Sequence, residues 1–212
     1  MPLALKHPET IPSPFPEKKH FSYADYLKWP EDLRIEIIHG VAYMMAPPMT
    51  NHQEISMRLS VILAQYLKGK TCRVFAAPFG VRLFPKEDKS DDTVVEPDIV
   101  VICDSSKIDE RGCNGAPDLV VEILSPSTRK KDRVLKRALY LNAKVREYWV
   151  VSPEHKEVEV HLLDNDTGLQ LSTNLYGVNN PDIHGEILVP EIIPVSVLPG
   201  LEIDTKEIFA EL

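Results

Sequence analysis

Two short aliphatic runs lie near the middle of the chain, and each follows a Pro-Asp pair. The first spans Ile99 to Ile102 and the second spans Leu119 to Leu124, with turn residues on either side of both. Runs of this length and composition are typical of buried central strands. The second run contains Glu122, although a carboxylate in a buried strand is costly unless it is paired or binds a metal. Glu122 is therefore the first candidate for a functional residue.

A second carboxylate, Asp98, stands at the start of the first run. If the two strands are neighbours, Asp98 and Glu122 converge on one point, and such a pair suits a hard divalent cation that takes oxygen ligands and keeps several waters. Asp118 stands at the start of the second run, but four residues along a strand place it about 13 Å from Glu122. We therefore predict a metal site at Asp98 and Glu122, and expect Asp118 to cap the strand entrance.

The segment before these strands predicts a hairpin. Strand-like runs flank His39 and Gly40, which indicates a tight turn with a positive φ at Gly40. We expect His39 in this turn to be exposed to solvent. Glu36 lies inside the first run, and two interpretations stay open for it. It is either an exposed position of an alternating strand or a third carboxylate near the metal.

Two helices are expected close to the hairpin. A short one, capped by Ser22, runs from Tyr23 to Trp29 and ends at a proline. A long one begins at Thr50 or Asn51 and reaches about Lys68, because its apolar residues recur at helical spacing. His52 falls in the first turn of this long helix, and we expect it to act as a cap or to lie at the surface.

Another charged helix follows the second aliphatic run and is expected from Ser127 or Thr128 to about Asn142. Asp132, Lys136 and Tyr140 recur every four residues in it, so they share one face. Lys136 either forms a salt bridge with Asp132 or points at the metal site.

The pattern as a whole predicts an α+β fold in which helices flank a mixed β-sheet, with an added N-terminal hairpin and C-terminal β segments. Residues 1–20 are rich in proline and lack apolar periodicity, which is typical of an extended arm. Residues 21–212 are expected to form a single domain.

Composition narrows the function classes. The chain has 212 residues, and no apolar run is long enough to span a membrane. Its three cysteines lack metal or redox spacing, and Cys72 and Cys103 sit in apolar runs. We therefore expect reduced thiols and a cytoplasmic protein. The net charge of −8 argues against broad binding of nucleic acid through a basic surface, but a nuclease needs only a metal and local basic groups.

Five blocks occur in order along the chain: R-I-E-I-I-H-G, E-P-D-I-V-V, P-D-L-V-V-E-I-L-S-P-S-T, D-R-V-L-K-R-A-L-Y and E-Y-W-V-V. From about residue 20 to about residue 210 the chain resembles the Uma-type family of restriction-endonuclease-like proteins, within the PD-(D/E)XK nuclease superfamily. The resemblance implies a restriction-endonuclease-like core. It also implies hydrolysis of DNA phosphodiester bonds with Mg²⁺, or with Mn²⁺ in its place, by a homodimer.

The resemblance also assigns roles to residues. It implies that Asp98, Glu122 and the main-chain carbonyl of Ile123 hold the metal, with Glu36 as an additional acidic position. The lysine expected two positions after Glu122 is absent, because Leu124 stands there. Relatives of this kind supply the lysine from the following helix, and Lys136 fits that place.

Two alternatives to a DNA nuclease stay open. One is a catalytically inactive binding or assembly module that keeps the nuclease fold, with Glu122 neutralised by Lys136 in a buried ion pair. The other is a metal-dependent hydrolase for another phosphate ester. The sequence does not distinguish DNA from RNA as a substrate, and it identifies neither a sequence preference nor a dimer surface.

Overall fold

The computed structural model describes residues 19–30, 33–125, 135–164, 170–178 and 189–212. Nearly all of the predicted N-terminal arm and the predicted start of the helix after Glu122 lie outside these ranges. The described helices are α1 (Tyr23–Tyr26), α2 (Thr50–Leu67), α3 (Arg137–Asn142) and α4 (Thr205–Phe209). The described strands are β1 (Ile35–Ile38), β2 (Val41–Met44), β3 (Arg73–Ala76), β4 (Gly80–Arg82), β5 (Val94–Val95), β6 (Ile99–Ile102), β7 (Ile108–Asp109), β8 (Gly112–Asn114), β9 (Leu119–Ile123), β10 (Glu147–Ser152), β11 (Glu157–Leu163), β12 (Gln170–Gly177), β13 (Ile192–Pro194) and β14 (Glu202–Asp204).

A mixed six-stranded sheet, in the order β12-β11-β10-β9-β6-β3, forms the centre of the fold. The two aliphatic runs are β6 and β9, and they are antiparallel neighbours, as the metal-site prediction requires. On its other side β9 pairs with β10 in parallel. Every residue of β6, β9 and β10 is buried, which explains their continuous aliphatic sequence.

A second six-stranded sheet, in the order β2-β1-β5-β4-β8-β7, contains the N-terminal hairpin. The hairpin turn is confirmed, with φ of 49° at the exposed His39 and 76° at Gly40. The polar, glycine-containing sequence between the two aliphatic runs, from Asp104 to Ala116, predicts a loop. That prediction is wrong in part, because the segment holds a short 3-10 helix and strands β7 and β8. These strands are too short for a periodic pattern to reveal them.

The two faces of the central sheet bury different partners. One face packs against α2 and the C-terminal elements through residues such as Ile55, Leu59 and Ile203. The other face packs against α3 and the hairpin-containing sheet through residues such as Val120 and Ile38. Glu122, Glu36 and Lys136 meet on this second side, between the central sheet, β1 and the start of α3.

The expectation of reduced thiols is wrong for two of the three cysteines. Cys72 and Cys103 form a disulfide with an S–S distance of 2.05 Å. Each lies one residue beyond the paired ends of β3 and β6, where Arg73 stands opposite Ile102, so the pairing of the two strands brings the thiols together. Cys113 is free and buried. In the described part of the chain, no helix is long and apolar enough to cross a membrane.

Candidate active site

Glu122 is a buried carboxylate that contacts Lys136 and Tyr140 directly. It lies inside β9, is 4% exposed, and stands opposite Val150 of β10. Its Oε1 accepts hydrogen bonds from Lys136 Nζ at 2.8 Å and from the Tyr140 hydroxyl at 2.6 Å. Charge-assisted hydrogen bonds of this kind offset the desolvation of a buried carboxylate.

Lys136 joins two carboxylates. It directly precedes α3, is 2% exposed, and its Nζ also lies 2.7 Å from Glu36 Oε1. The salt bridge to Asp132 that the sequence left open falls outside the described residues. Lys136 therefore faces the predicted site and neutralises part of its negative charge.

Glu36 is not an exposed position of an alternating strand. All four residues of β1 are buried, because the strand is covered on both faces, and Glu36 itself has no exposed surface. Besides the contact with Lys136, its Oε1 accepts the main-chain N–H of Glu96 at 3.1 Å. The interpretation as an exposed position is therefore wrong, and the interpretation of Glu36 as a third carboxylate near the metal stays a prediction.

Tyr140 acts as a hydrogen-bond donor within the site. Burial raises its pKa well above the usual value, and the nearby carboxylates of Glu122 and Glu36 raise it further. The hydroxyl therefore stays protonated at neutral pH and cannot serve as a base. The centroid of its ring lies 4.9 Å from that of Tyr148 in β10, so the two rings pack where α3 contacts the central sheet.

Asp98 lies where the chain enters β6. Its Oδ2 accepts the main-chain N–H of Ile123 at 2.7 Å and lies 3.2 Å from Nε2 of His52. Continuing the register beyond the pair Ile99 and Val121 sets Asp98 opposite Glu122. Within the described ranges, Oδ1 of Asp98 has neither a hydrogen-bond nor an ion-pair partner, so it is the oxygen available to a cation.

His52 is the residue of this site that the sequence analysis missed. We expected it to cap α2 or to lie at the surface, but it is 9% exposed and its ring contacts Asp98. The spacing from His52 to Ile55, Leu59 and Leu63 is helical, and all four are buried on one face of α2. Extending the apolar stripe backwards by one turn would have placed His52 in the interior.

Two further carboxylates, those of Glu96 and Asp118, form hydrogen bonds and ion pairs near the site. Glu96 accepts hydrogen bonds from Arg34 at 3.0 Å and from the Tyr26 hydroxyl at 3.4 Å. Burial, and then the charge of Glu96, raises the pKa of Tyr26 to about 12. Asp118 accepts the Cys103 main-chain N–H at 2.7 Å and pairs with Arg146, so it stabilises the strand entrance and is remote from Glu122.

The oxygen atoms of this cluster suit a hard cation, although a cage of side chains is absent. Among the residues that the structure describes, no three His, Cys, Asp or Glu side chains are gathered as a metal site. Mg²⁺ commonly needs only one or two carboxylates, because it keeps several waters. Three carboxylates (Asp98, Glu122 and Glu36) and the ammonium of Lys136 leave a formal charge of −2, which a divalent cation balances. The donor set therefore fits such an ion.

Comparison with known proteins identifies the family of this chain. Residues 23–203 match the model of the family described as "Uma2: Putative restriction endonuclease". An uncharacterized protein of Synechocystis sp., slr1290, is 31% identical over 157 residues, which cover 73% of this chain and 78% of that protein.

A solved structure shares the fold. It is the crystal structure of "a putative nuclease belonging to DUF820" from Anabaena variabilis ATCC 29413, which aligns with a TM-score of 0.67 at 23% identity over 90% of this chain and 98% of that one. The restriction-endonuclease-like α+β fold predicted from the sequence is thus confirmed. The chain belongs to the Uma2 family of restriction-endonuclease-like proteins.

Proposed function

We propose that this protein is a metal-dependent endodeoxyribonuclease that hydrolyses phosphodiester bonds. The observation that carries the proposal is the position of Lys136, whose Nζ lies within 2.8 Å of both Glu122 and Glu36. Asp98 directly precedes the neighbouring strand β6, and the register of Ile99 opposite Val121, continued by one residue, sets it opposite Glu122. An acidic pair on adjacent strands with a lysine beside it is the set of groups that PD-(D/E)XK chemistry requires, although here the lysine comes from the start of α3.

The metal ligands that we propose are Asp98, Glu122 and the main-chain carbonyl of Ile123. The contact between Asp98 and the Ile123 N–H supports this choice, because it brings Asp98 beside the peptide that follows Glu122. A bound Mg²⁺, or Mn²⁺ in its place, supplies charge neutralisation at the phosphoryl oxygen and lowers the pKa of the attacking water.

The remaining residues hold charge and protons in place. Lys136 orients the water or neutralises the charge that develops on the phosphate, which is the role of a preorganised donor. Glu36 and Glu122 hold its ammonium from two sides. The protonated hydroxyl of Tyr140 donates to Glu122 and limits the rotation of that carboxylate.

DNA as the substrate is supported by family and by local charge. The chain as a whole carries −8, but the sequence from Arg129 to Arg137 contains six basic residues and one acidic residue. This segment adjoins Lys136 in the sequence, and local basic residues are enough to attract a phosphodiester, because the electrostatic contribution comes from the phosphates nearest the protein.

One observation favours an inactive binding or assembly module as the second candidate. Glu122 already has an ammonium and a phenolic hydroxyl as partners without a metal. A fold that had lost its reaction would retain this ion pair for stability. The two functions differ in the affinity of the carboxylates for a divalent cation.

The decisive experiment is a Mn²⁺ and Mg²⁺ titration by calorimetry, followed by incubation with supercoiled plasmid. Wild type is compared with Glu122→Gln and with Glu159→Gln, a matched change on β11 outside the site. We expect metal binding and cleavage in wild type and in Glu159→Gln, and neither cleavage nor normal binding in Glu122→Gln. Cleavage that survives in the double variant Asp98→Asn with Glu122→Gln would falsify the proposal, and absence of metal binding in wild type would favour the inactive module.

A homodimer and a cytoplasmic location remain predictions. Light scattering during size-exclusion chromatography tests the first, since C₂ dimers are the commonest symmetric assembly. The redox state of Cys72 and Cys103 in freshly quenched cell extract bears on the second, because the disulfide is a feature more typical of oxidising compartments.

A further inference from the structure

His52 has a position set by the packing of α2. This helix has 18 residues, and Ile55, Leu59 and Leu63 anchor the same face that carries His52. The three anchors have no exposed surface, so α2 cannot rotate without moving the core. The imidazole therefore lies at the start of β6, where Nε2 is 3.2 Å from Oδ2 of Asp98.

The unpaired nitrogen of His52 indicates which tautomer is present. Nδ1 is buried and has no hydrogen-bond partner in the described part of the chain. A neutral imidazole has one donor nitrogen and one acceptor nitrogen, and a buried N–H without an acceptor is unfavourable. The proton of the neutral ring therefore belongs on Nε2, where Asp98 accepts it.

A role as the cap of helix α2 does not account for the imidazole of His52. The main-chain N–H of His52 is already satisfied by the side chain of Asn51 at 2.8 Å, and the imidazole takes no part in that contact. A purely structural side chain at this position would be expected to be apolar, like the rest of the buried face. The polar contact that the ring does make is directed at one oxygen of Asp98.

We propose that His52 is a positioning residue for the metal site. Its Nε2–H and the Ile123 N–H both hold Oδ2 of Asp98, so that Oδ1 faces the cation. Hydrogen bonds to a ligating carboxylate of this kind orient it before the metal arrives. This inference rests on the proposed function, because it assigns His52 a role toward the ion that Asp98 would bind.

The test measures Mn²⁺ affinity by calorimetry in the full chain, which needs no catalytic readout. His52→Leu removes the donor and retains much of the volume, and we expect the Kd for Mn²⁺ to rise about 10- to 100-fold. His52→Gln can place an amide N–H near the position of Nε2, and we expect it to restore most of the affinity. Asp98→Asn removes the proposed ligand itself, so its Kd for Mn²⁺ gives the largest loss of affinity expected at this position.

Controls separate positioning from stability. Leu59→Ala removes buried surface from the same face of α2 without touching Asp98, so it should lower the melting temperature and leave the Kd unchanged. If His52→Leu does not fold, His52→Asn, whose shorter amide does not reach Asp98, takes its place as the loss variant.

The outcomes distinguish this inference from the proposed function. Wild-type affinity in the loss variant, or a His52→Gln variant as weak as His52→Leu, overturns the role of His52 and leaves the metal site intact. A wild-type protein that binds no Mn²⁺ overturns the proposed function and the role of His52 together.

Discussion

The ammonium of Lys136 lies 2.8 Å from the carboxylate of Glu122, although 14 residues separate them in the chain. In the PD-(D/E)XK pattern the lysine follows the acidic residue by two positions, where this chain has Leu124. That leucine is buried in the core between the sheets. The strand thus stays apolar at that position, and Lys136, which directly precedes α3, brings an ammonium to the carboxylate instead.

The first prediction concerns the charge balance at this site. Lys136→Met leaves Glu36 and Glu122 as two buried carboxylates without their shared cation. We expect the free energy of unfolding to fall by about 3–5 kcal/mol, the usual cost of an uncompensated buried charge. Urea denaturation at pH 7 measures it. Adding Glu36→Gln to Lys136→Met should restore part of the loss, and a loss below about 1 kcal/mol for Lys136→Met alone contradicts the buried ion pair.

The hydroxyl of Tyr140 provides the second prediction. Tyr140→Phe removes the 2.6 Å hydrogen bond to Glu122 and keeps the ring. Because the acceptor is charged and buried, we expect a loss of about 1.5–3 kcal/mol in stability. Cleavage should be reduced but retained, since the phenol is a donor and not the base. Tyr66→Phe is the matched control, because its hydroxyl bonds to Pro199 at an exposed position. Equal effects of the two changes would show that the Glu122 contact is not special.

The third prediction is a loss of stability at alkaline pH. Burial raises the pKa of Tyr140 well above its usual value and that of Tyr26 to about 12. In the unfolded chain both phenols titrate near the ordinary value of about 10, so the unfolded state releases protons first as the pH rises. The stabilisation is therefore complete below about pH 10. Above that pH it declines for both residues, and the contribution of Tyr26 is lost as the pH approaches about 12.

Urea midpoints measured between pH 9 and pH 12 test this dependence. Wild type should lose stability steeply as the pH rises. Tyr140→Phe and Tyr26→Phe should each show a shallower decline, because each lacks one of the two phenols whose pKa is raised by folding. Parallel curves for wild type and Tyr140→Phe would contradict the raised pKa.

The fourth prediction concerns the disulfide between Cys72 and Cys103, whose residues are separated by 31 positions. A cross-link that closes a loop of this length stabilises a domain by about 3–4 kcal/mol in the chain-entropy account. We expect Cys72→Ser with Cys103→Ser to lower the urea midpoint accordingly, and a reducing agent to lower it in wild type but not in the double variant. With the cross-link, only Cys113 carries a free thiol, so mass spectrometry without reduction that finds three free thiols in the folded protein would refute the cross-link.

Local patterns accounted for the elements near the site. Aliphatic composition predicted β6 and β9, and the His39-Gly40 turn predicted the hairpin of β1 and β2. Helical periodicity predicted α2, which ends at Leu67, one residue before the expected end. Each of these signals depends on residues within a few positions of one another, so the sequence contains it directly.

The same local patterns were insufficient where a residue's surroundings come from another element. Alternation left Glu36 open between an exposed and a buried role, and only the covering of both faces of β1 decided it. The strand-like sequence of residues 71–84, interrupted near Pro78, predicts one or two strands. The segment holds β3 and β4, but these lie in different sheets, which no local pattern predicts.

Residue order alone was enough to predict a buried strand that contains Glu122, a second one that follows Asp98, and a charged segment with Lys136 after them. Hydrophobic periodicity and the cost of a buried carboxylate act along the chain, so they can be recognised without a structure. Which side chains meet depends instead on the tertiary structure. Glu36 reaches the main chain of Glu96 across 60 residues, His52 reaches Asp98 from another helix, and Cys72 meets Cys103 through strand register. These contacts depend on how whole sheets and helices pack, and packing is a property of the complete fold.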